Sequence, residues 1–584
     1  MFGSGLHIYP SNLSILPFIM RSVWTLSALA LSAEAIKTTG CPLLGPAFPA
    51  PTALSEDSTF SSKAEELTSK LNGAIEDGSL PGISFAVQVF SSEEDHSAFG
   101  FYHTNDPVKV GSVGVKKVDE DTMFRIGSIS KLWTMFLFMT LEGTRYFHEP
   151  VSKYVPELQM PYTPAQAKDK INYLQWSDVT IGELASHQAG LVRDYAFGDL
   201  GFKSDLLQTM GFPSLPENEQ LTCGSEYSCD RQDPLTATSQ TPIYSNAGYQ
   251  ILGYALESIA NASYEEILWD RLIKPLNLTR SCLKVPDPSL AVIPHNETFS
   301  WFGYEIGDEA PAGGMFSSAN DMATFGRAVL SSTLVDPAVT RRWMKPVTHT
   351  SSLQHSVGAP WEIYSFLTPR RVDLYTKAGD IGQYSSSIGL SPDHNAGFTV
   401  LVAGGDSHAM TSTIGEMVAD IMLPAFDEVA KTQALKQFGG TYALTSDSSN
   451  SSITITADDG AGLVVSAWSS NSVDMIESLM GLQGVTDRSE ISIRLQPSGL
   501  ETPGKISFLA VIYTLGAPKD AGPLVGSCFS WILLDSLVYG NVGLPEFEFA
   551  LNHDGYATSL SPRALRVTLP RVCGEKTSFA VDSP

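Results

Sequence analysis

The chain is short of positive charge. Lysine and arginine number 37 against 63 aspartates and glutamates, for a formal net charge of −26. So acidic a molecule repels phosphate backbones and anionic membrane faces, which excludes both as expected partners. Charge of either sign is itself sparse, at 17% of 584 residues, while apolar residues reach 43%. That excludes an acidic disordered chain, whose low hydrophobicity could not support a core. No internal repeat or heptad array is present, and no apolar run is long enough to indicate an integral membrane span. No paired C-x-x-C occurs among the six cysteines, and the eleven histidines are scattered. Neither a metal nor a cofactor is therefore expected. What the chain does have is length, enough for two domains.

All six cysteines follow a segment that reads as a secretory leader. Met20-Arg21 precedes the apolar stretch 23–31, and Ala33-Glu34-Ala35 is an A-x-A cleavage pattern. Residues 1–35 are read as signal peptide. The first 19 are unusual in such a leader, and initiation at Met20 would give a conventional one. The expected product is secreted. An even cysteine count beyond a leader implies disulfides. Cys223 and Cys229 bracket a short polar loop and are expected to pair, as are Cys528 and Cys573 within the C-terminal region. Cys41 with Cys282 then remains by elimination. Sequons at Asn261, Asn277, Asn296 and Asn450 are candidate glycosylation sites.

Composition divides the rest. Residues 36–60 are rich in Pro and Ser and read as an extended arm. A first domain is assigned to 61–430, with a helix over 64–75, strands over 82–89 and 99–102, and a closing helix over 410–425. The stretch 195–242, rich in Gly, Pro, Ser and Thr, reads as inserted loops, the kind of segment that sets substrate choice. From 437 to 584 short strands alternate with turns, around 440–442, 453–455, 463–465, 506–513 and 566–569. That pattern predicts an all-β sandwich or barrel.

Three short motifs carry the chemistry. Ser128-Ile129-Ser130-Lys131, Tyr244-Ser245-Asn246 and Lys377-Ala378-Gly379 occur in the order S-x-x-K, Y-x-N, K-x-G. Each alone is weak, and each has a double: Ser281 to Lys284, Tyr539 to Asn541, and Lys109 to Gly111. Ser128 differs from Ser281 in context. Gly127 precedes it, and the apolar run 132–139 follows without Pro or Gly, as a buried helix requires. Residues three apart share a helix face, so Lys131 falls one turn from Ser128. An isolated serine there would read as a helix cap, as would Asn246 before its own apolar run.

With these motifs the chain resembles the class C β-lactamase-like serine hydrolases, in particular secreted fungal members with a β-rich C-terminal extension. The likeness covers about residues 60–427 and includes Phe124-Arg125-Ile126-Gly127 before Ser128. Further matches are Leu184-Ala185-Ser186-His187-Gln188-Ala189-Gly190-Leu191, the run from Pro311 to Ser318, Asp380 after Gly379, and the strand-like run from Gly397 to Ala403. The resemblance implies an α+β (α/β) fold of the β-lactamase/transpeptidase type, an antiparallel sheet flanked by helices with an all-α subdomain. It implies an oxyanion hole at the amides of Ser128 and Asp380, beside Gly379, and Tyr244 as the group that activates water in deacylation.

The expected reaction is attack by Ser128 on an ester, lactone or amide carbonyl of a small molecule or peptide, through an acyl-enzyme. The base is Lys131, if neutral, or Tyr244, if phenolate-like; Lys377 would favour either state by its charge. Asn246 would orient Lys131 and the substrate. Ala378 and Asp380 depart from the threonine and small residue usual in β-lactamases, which disfavours anionic substrates. His187 reads as a core residue. An acyltransferase of natural-product biosynthesis and a catalytically inactive binding protein remain alternatives, and oligomeric state is not legible.

Overall fold

The computed structural model describes residues 41–159, 162–194, 208–214, 233–367, 370–446, 449–515, 528 and 530–572. The leader, Cys223, Cys229 and Cys573, and most of the loop-rich stretch lie outside these residues. The chain divides into two compact units, one spanning Ala50–Ala430 and the other built from Lys431–Pro584 with the N-terminal Met1–Pro49.

The first unit begins with helix α1 (Ser58–Glu76), longer at both ends than expected because Asp57 caps it, its carboxylate accepting from the amides of Thr59 and Phe60. A 3₁₀ turn at Leu54–Glu56 precedes it, so the arm expected over 36–60 already ends at Leu54. Strands β1 (Ile83–Ser91) and β2 (Ser97–His103) follow, then the two-residue pair β3 (Phe124–Arg125) and β4 (Phe316–Ser317). Strands β5 (Thr348–His349), β6 (His355–Val357), β7 (Glu362–Leu367), β8 (Arg371–Ile381), β9 (Tyr384–Ser391) and β10 (Ala396–Gly404) complete it. The main sheet has the order β2-β1-β10-β9-β8-β7-β6-β5, and its neighbours pair antiparallel.

Every residue of β1 and of β10 is buried, because both faces of the sheet are covered by helices. On one face Phe60, Leu67 and Leu71 of α1 pack with Ile414, Val418 and Phe426 over Val87 and Val400. The other face packs against helices α2 (Ser130–Glu142), α3 (Asn246–Ala260) and α4 (Ala319–Leu330). Helix α2 is buried throughout Ser130–Met139. Each large apolar side chain so buried stabilises the fold by about 1.5–3 kcal/mol.

Helix α5 (Ser407–Phe438) runs much further than 410–425 and passes through Pro424. Proline removes one helical hydrogen bond and disfavours such positions, but packing of Phe426 and Val429 continues the helix beyond it. A buried network ties α5 to the β9–β10 turn. Arg370 pairs with Asp393 (2.5 Å) and Asp427 (3.2 Å), and His394 bridges Asp427 (3.0 Å) and Ser391 (2.8 Å). This is a Ser–His–Asp chain by hydrogen bonding. With Ser391 and His394 both buried and Arg370 locked to the acids, it fastens the helix.

The second unit is built around a nine-stranded sheet made of Gly440–Ser446 (β11), Ser449–Thr456 (β12), Leu463–Ser470 (β13), Val473–Asp474 (β14), Ile491–Thr502 (β15) and Lys505–Thr514 (β16), then Glu546–Leu551, Ala557–Pro562 and Leu569–Pro570. An antiparallel bridge between Tyr442 and Arg571 joins its first and last strands, so of the two predicted alternatives the sheet takes the nearly closed barrel. Trp468, Phe508, Phe547 and Phe549 fill it. The strand expected over 566–569 shrinks to Leu569–Pro570, since Arg566 takes a left-handed conformation ending a 3₁₀ turn.

The cysteine pairing differs from expectation. Cys41 is bonded to Cys528, with Cα atoms 5.5 Å apart, and among the described residues Cys282 is a free thiol. That excludes both Cys41–Cys282 and Cys528–Cys573. Proximity along the chain misled: residues 487 positions apart meet because the N-terminal segment belongs to the barrel unit. Non-reducing peptide mapping should recover a Cys41–Cys528 linked peptide, and Cys41→Ser should destabilise the barrel unit by about 2–4 kcal/mol. A Cys41–Cys282 peptide would contradict the fold described.

Candidate active site

A 3₁₀ turn at Gly127–Ile129 leads into α2 and carries Ser128. Gly127 has φ +47°, and a Cβ built there would sit 2.7 Å from the amide nitrogen of Asp380. A Cβ on Gly379 would lie 2.7 Å from the amide of Ser128 and 2.1 Å from the Ile126 carbonyl. Glycine at both positions lets the end of β8 approach the Ser128 turn backbone to backbone. Ser386 fastens the contact, its Oγ donating to Ile126 O at 2.8 Å and Gly379 O at 3.3 Å. The amides of Ser128 and Asp380 are thus brought close together.

Ser128 Oγ lies 2.7 Å from the phenol oxygen of Tyr244 and 3.0 Å from Nζ of Lys131. Lys131 also donates to Asn246 Oδ1 (2.6 Å) and to the Ala312 carbonyl (2.7 Å). Asn246 is not a helix cap: Ser245 caps α3, its Oγ accepting from Gly248 N, which leaves the Asn246 side chain for Lys131. Its amide nitrogen donates to Asp194 Oδ1 at 2.7 Å, so the acceptor oxygen faces the amine. Lys377 lies on β8 and its Nζ is 5.3 Å from the centre of the Tyr244 ring. It is ion-paired with Glu362 Oε1 at 2.6 Å, while Glu362 Oε2 accepts from Ala378 N at 2.9 Å. All five residues expected to carry the chemistry therefore meet in one cluster.

Three groups in the cluster were not legible in the sequence. Asp194 and Glu362 touch it from segments that no motif marked, and Ala312, though within the Pro311–Ser318 run, contributes a backbone carbonyl whose contact the run does not reveal. The doubles lie elsewhere. Ser281 is buried against Ser317 and Asp321, Lys284 pairs with Glu265 on the surface, Lys109 pairs with the exposed Asp106, and Tyr539 lies exposed on the short strand Val538–Tyr539, opposite Val542.

The electrostatics follow from burial and charge. Burial pulls the Lys131 ammonium below its usual range, and Lys377 adds to this. Burial alone would push the Tyr244 phenol up; Lys131 and Lys377 outweigh it and hold the phenol below its usual range. Lys377 itself is raised, because the Glu362 carboxylate outweighs its desolvation. His187, beneath the Tyr244 ring, is driven well below its usual value by burial and by Lys131, Lys377 and Arg193.

At the end of β8 the Asp380 side chain is half exposed, and His408 Nδ1 of α5 is 3.1 Å from both its oxygens. The pair borders a cavity of about 490 Å³, also lined by Gln383, Tyr384, Gly404 and Ser407. The four sequon asparagines are exposed. Among the described residues no cluster of His, Cys, Asp and Glu could hold a metal, and no helix is long and apolar enough to cross a membrane.

Comparison with known proteins gives matches over both units. A "Beta-lactamase-like protein" of Arthroderma benhamiae is 26% identical, covering 91% of this chain and 96% of its own. A "probable hydrolase" of Phoma sp. is 25% identical, covering 74% of this chain and 73% of its own. Among solved structures, a D-stereospecific amidohydrolase from Streptomyces sp. aligns with TM-score 0.43 and 19% identity over 60% of this chain and 96% of the other. A class C β-lactamase aligns with TM-score 0.42 and 16% identity over 62% and 95%. A family model described as "Beta-lactamase-like-like, C-terminal domain" matches residues 430–573. The family model described as "Beta-lactamase" matches residues 71–414, more than half of the chain, and the chain belongs to that family.

Proposed function

We propose that the protein is a secreted serine hydrolase acting through an acyl-enzyme on a small neutral ester, lactone or amide. The observation that carries the reading is the position of Ser128 Oγ, 2.7 Å from the Tyr244 phenol and 3.0 Å from the Lys131 amine. A serine hydroxyl needs a base near neutral pH. Of the two candidates, Tyr244 is the better supported. It is the nearer, and two cations favour its phenolate. Lys131 has three acceptors around it, which matches the three donors of an ammonium. In this reading Tyr244 takes the Ser128 proton as Oγ attacks the carbonyl carbon. The carbonyl oxygen gathers charge against the amides of Ser128 and Asp380, each such donor worth about a hundred- to a thousandfold in rate. The proton then passes to the leaving group, and Tyr244 draws one from water to release the acyl group. Asn246, held by Asp194, keeps Lys131 in place, and Glu362 does so for Lys377.

Substrate choice rests on Asp380 and Ala378. A carboxylate beside the oxyanion donor, and no hydroxyl at the position before Gly379, make a poor seat for the carboxylate of a penicillin. A fluorophosphonate should label wild-type protein at Ser128, and Ser128→Ala should remove labelling and turnover without loss of fold. Near-normal turnover of Ser128→Ala would sink the assignment. Wild type should favour neutral esters over penicillins, and Asp380→Ser with Ala378→Thr should move the ratio of kcat/KM by about tenfold or more towards penicillins. Faster penicillin turnover by wild type would contradict the argument.

The export reading is supported by the leader sequence, the Cys41–Cys528 bond and the exposed sequons. Intact mass should show cleavage near Ala35 and a decrease on glycosidase treatment that maps to Asn261, Asn277, Asn296 or Asn450. An uncleaved, unmodified chain recovered from the cytosol of its native host would overturn it.

A further inference from the structure

His187 lies outside the reaction sequence above, yet its contacts converge on one residue of it. Its carbonyl accepts from Ile243 N at 2.7 Å, and its ring Nδ1 accepts from Ser245 N at 3.2 Å. The residue between those two amides is Tyr244. The imidazole stacks on the Tyr244 ring, centroids 4.5 Å apart and planes 30° from parallel. To do this His187 adopts φ +60°, a left-handed conformation rare for residues other than glycine and in which His, with Asn and Asp, is enriched. The ring is buried, and among the described residues Nε2 has no hydrogen-bond partner. A residue serving only to fill the core would need neither the left-handed backbone nor a ring nitrogen accepting from the Ser245 amide.

The protonation state is fixed by the same geometry. Nδ1 faces an amide N–H and must offer its lone pair, so the ring proton sits on Nε2 and the imidazole is neutral. An imidazolium would turn a second N–H towards Ser245 N–H. It would also stand among Lys131, Lys377 and Arg193, whose guanidinium lies 5.0 Å from the Tyr244 ring centre. Burial and these three cations all oppose it.

We propose that His187 is the positioning residue for Tyr244: its backbone carbonyl holds the amide before Tyr244, its neutral imidazole holds the amide after it and supports the phenol ring, and together they keep the phenol oxygen at Ser128 and within the field of Lys131 and Lys377. This rests on Tyr244 being the base. Once the grip is released, the phenol drifts from the cations, loses their stabilisation of its charged form, and titrates at higher pH.

The test is the rate of fluorophosphonate labelling of Ser128 against pH, which needs no knowledge of the substrate. His187→Asn tolerates the left-handed backbone but removes the stacked ring; His187→Phe keeps a ring but removes the acceptor. Both should label more slowly by about ten- to a hundredfold, with the limb on which the base deprotonates displaced to higher pH. In a Tyr244→Phe background the His187 changes should alter the residual rate by no more than about twofold, since a residue acting through Tyr244 has nothing left to act on. Circular dichroism and thermal melts establish folding. Equal losses in the two backgrounds, an unshifted pH limb, or failure of both variants to fold would each overturn the assignment and make His187 a structural residue. Absence of labelling in the wild-type protein would overturn the serine-hydrolase reading itself, and is distinguishable because it precedes any change at His187.

Discussion

The arrangement turns on the placing of two buried ammonium groups beside one phenol. The Nζ atoms of Lys131 and Lys377 lie 4.9 and 5.3 Å from the Tyr244 ring centre. Burial opposes the charged form of all three groups, so the cations and the phenolate are mutually stabilising only if they remain together. Much of the surrounding structure serves that condition. Helix α2 is buried over Ser130–Met139 and carries Lys131 inward; β7 and β8 deliver Glu362 and Lys377 in register, Glu362 opposite Thr376; and the two glycines let β8 close on the Ser128 turn.

Two carboxylates keep the positive charge in place without cancelling it where it is needed. Glu362 binds Lys377 and the next backbone amide together, fixing the strand end. Asp194 acts at one remove, through Asn246, and so orients an acceptor towards Lys131 without setting a second anion against it. Charge of both signs is therefore paired through hydrogen bonds, as buried charge must be to persist.

The five clustered residues were legible because each sits in a short motif whose order and spacing survive in one dimension. Ser128 and Lys131 meet through helix periodicity, and the apolar run after them announced a buried helix. Asp194, Glu362 and Ala312 were not legible, since their contacts arise from chain segments far apart and acidic residues are common everywhere in this sequence. His187 was read as core packing; its burial was correct, but the left-handed backbone and the paired amide contacts exist only in three dimensions. The main elements of the first unit were visible from apolar patterning, with ends misjudged where a cap, as at Asp57, or tertiary packing past Pro424 decided them. Sandwich and barrel share one strand pattern, and only the Tyr442–Arg571 bridge separates them. The Cys41–Cys282 and Cys528–Cys573 pairings failed for the same reason: Cys41 and Cys528 are remote in sequence and adjacent in space.

The central claim is that the two cations hold Tyr244 partly towards phenolate. Tyrosine labelled with ¹³C at Cζ tests it directly, the Tyr244 signal being assigned by its loss in Tyr244→Phe. In wild type that signal should titrate below the usual tyrosine value of about 10, and in Lys377→Met it should move to higher pH, since removing a cation raises the cost of the phenolate. A wild-type Tyr244 titrating above the usual value, or one indifferent to Lys377→Met, would contradict the account and leave Lys131 as the base.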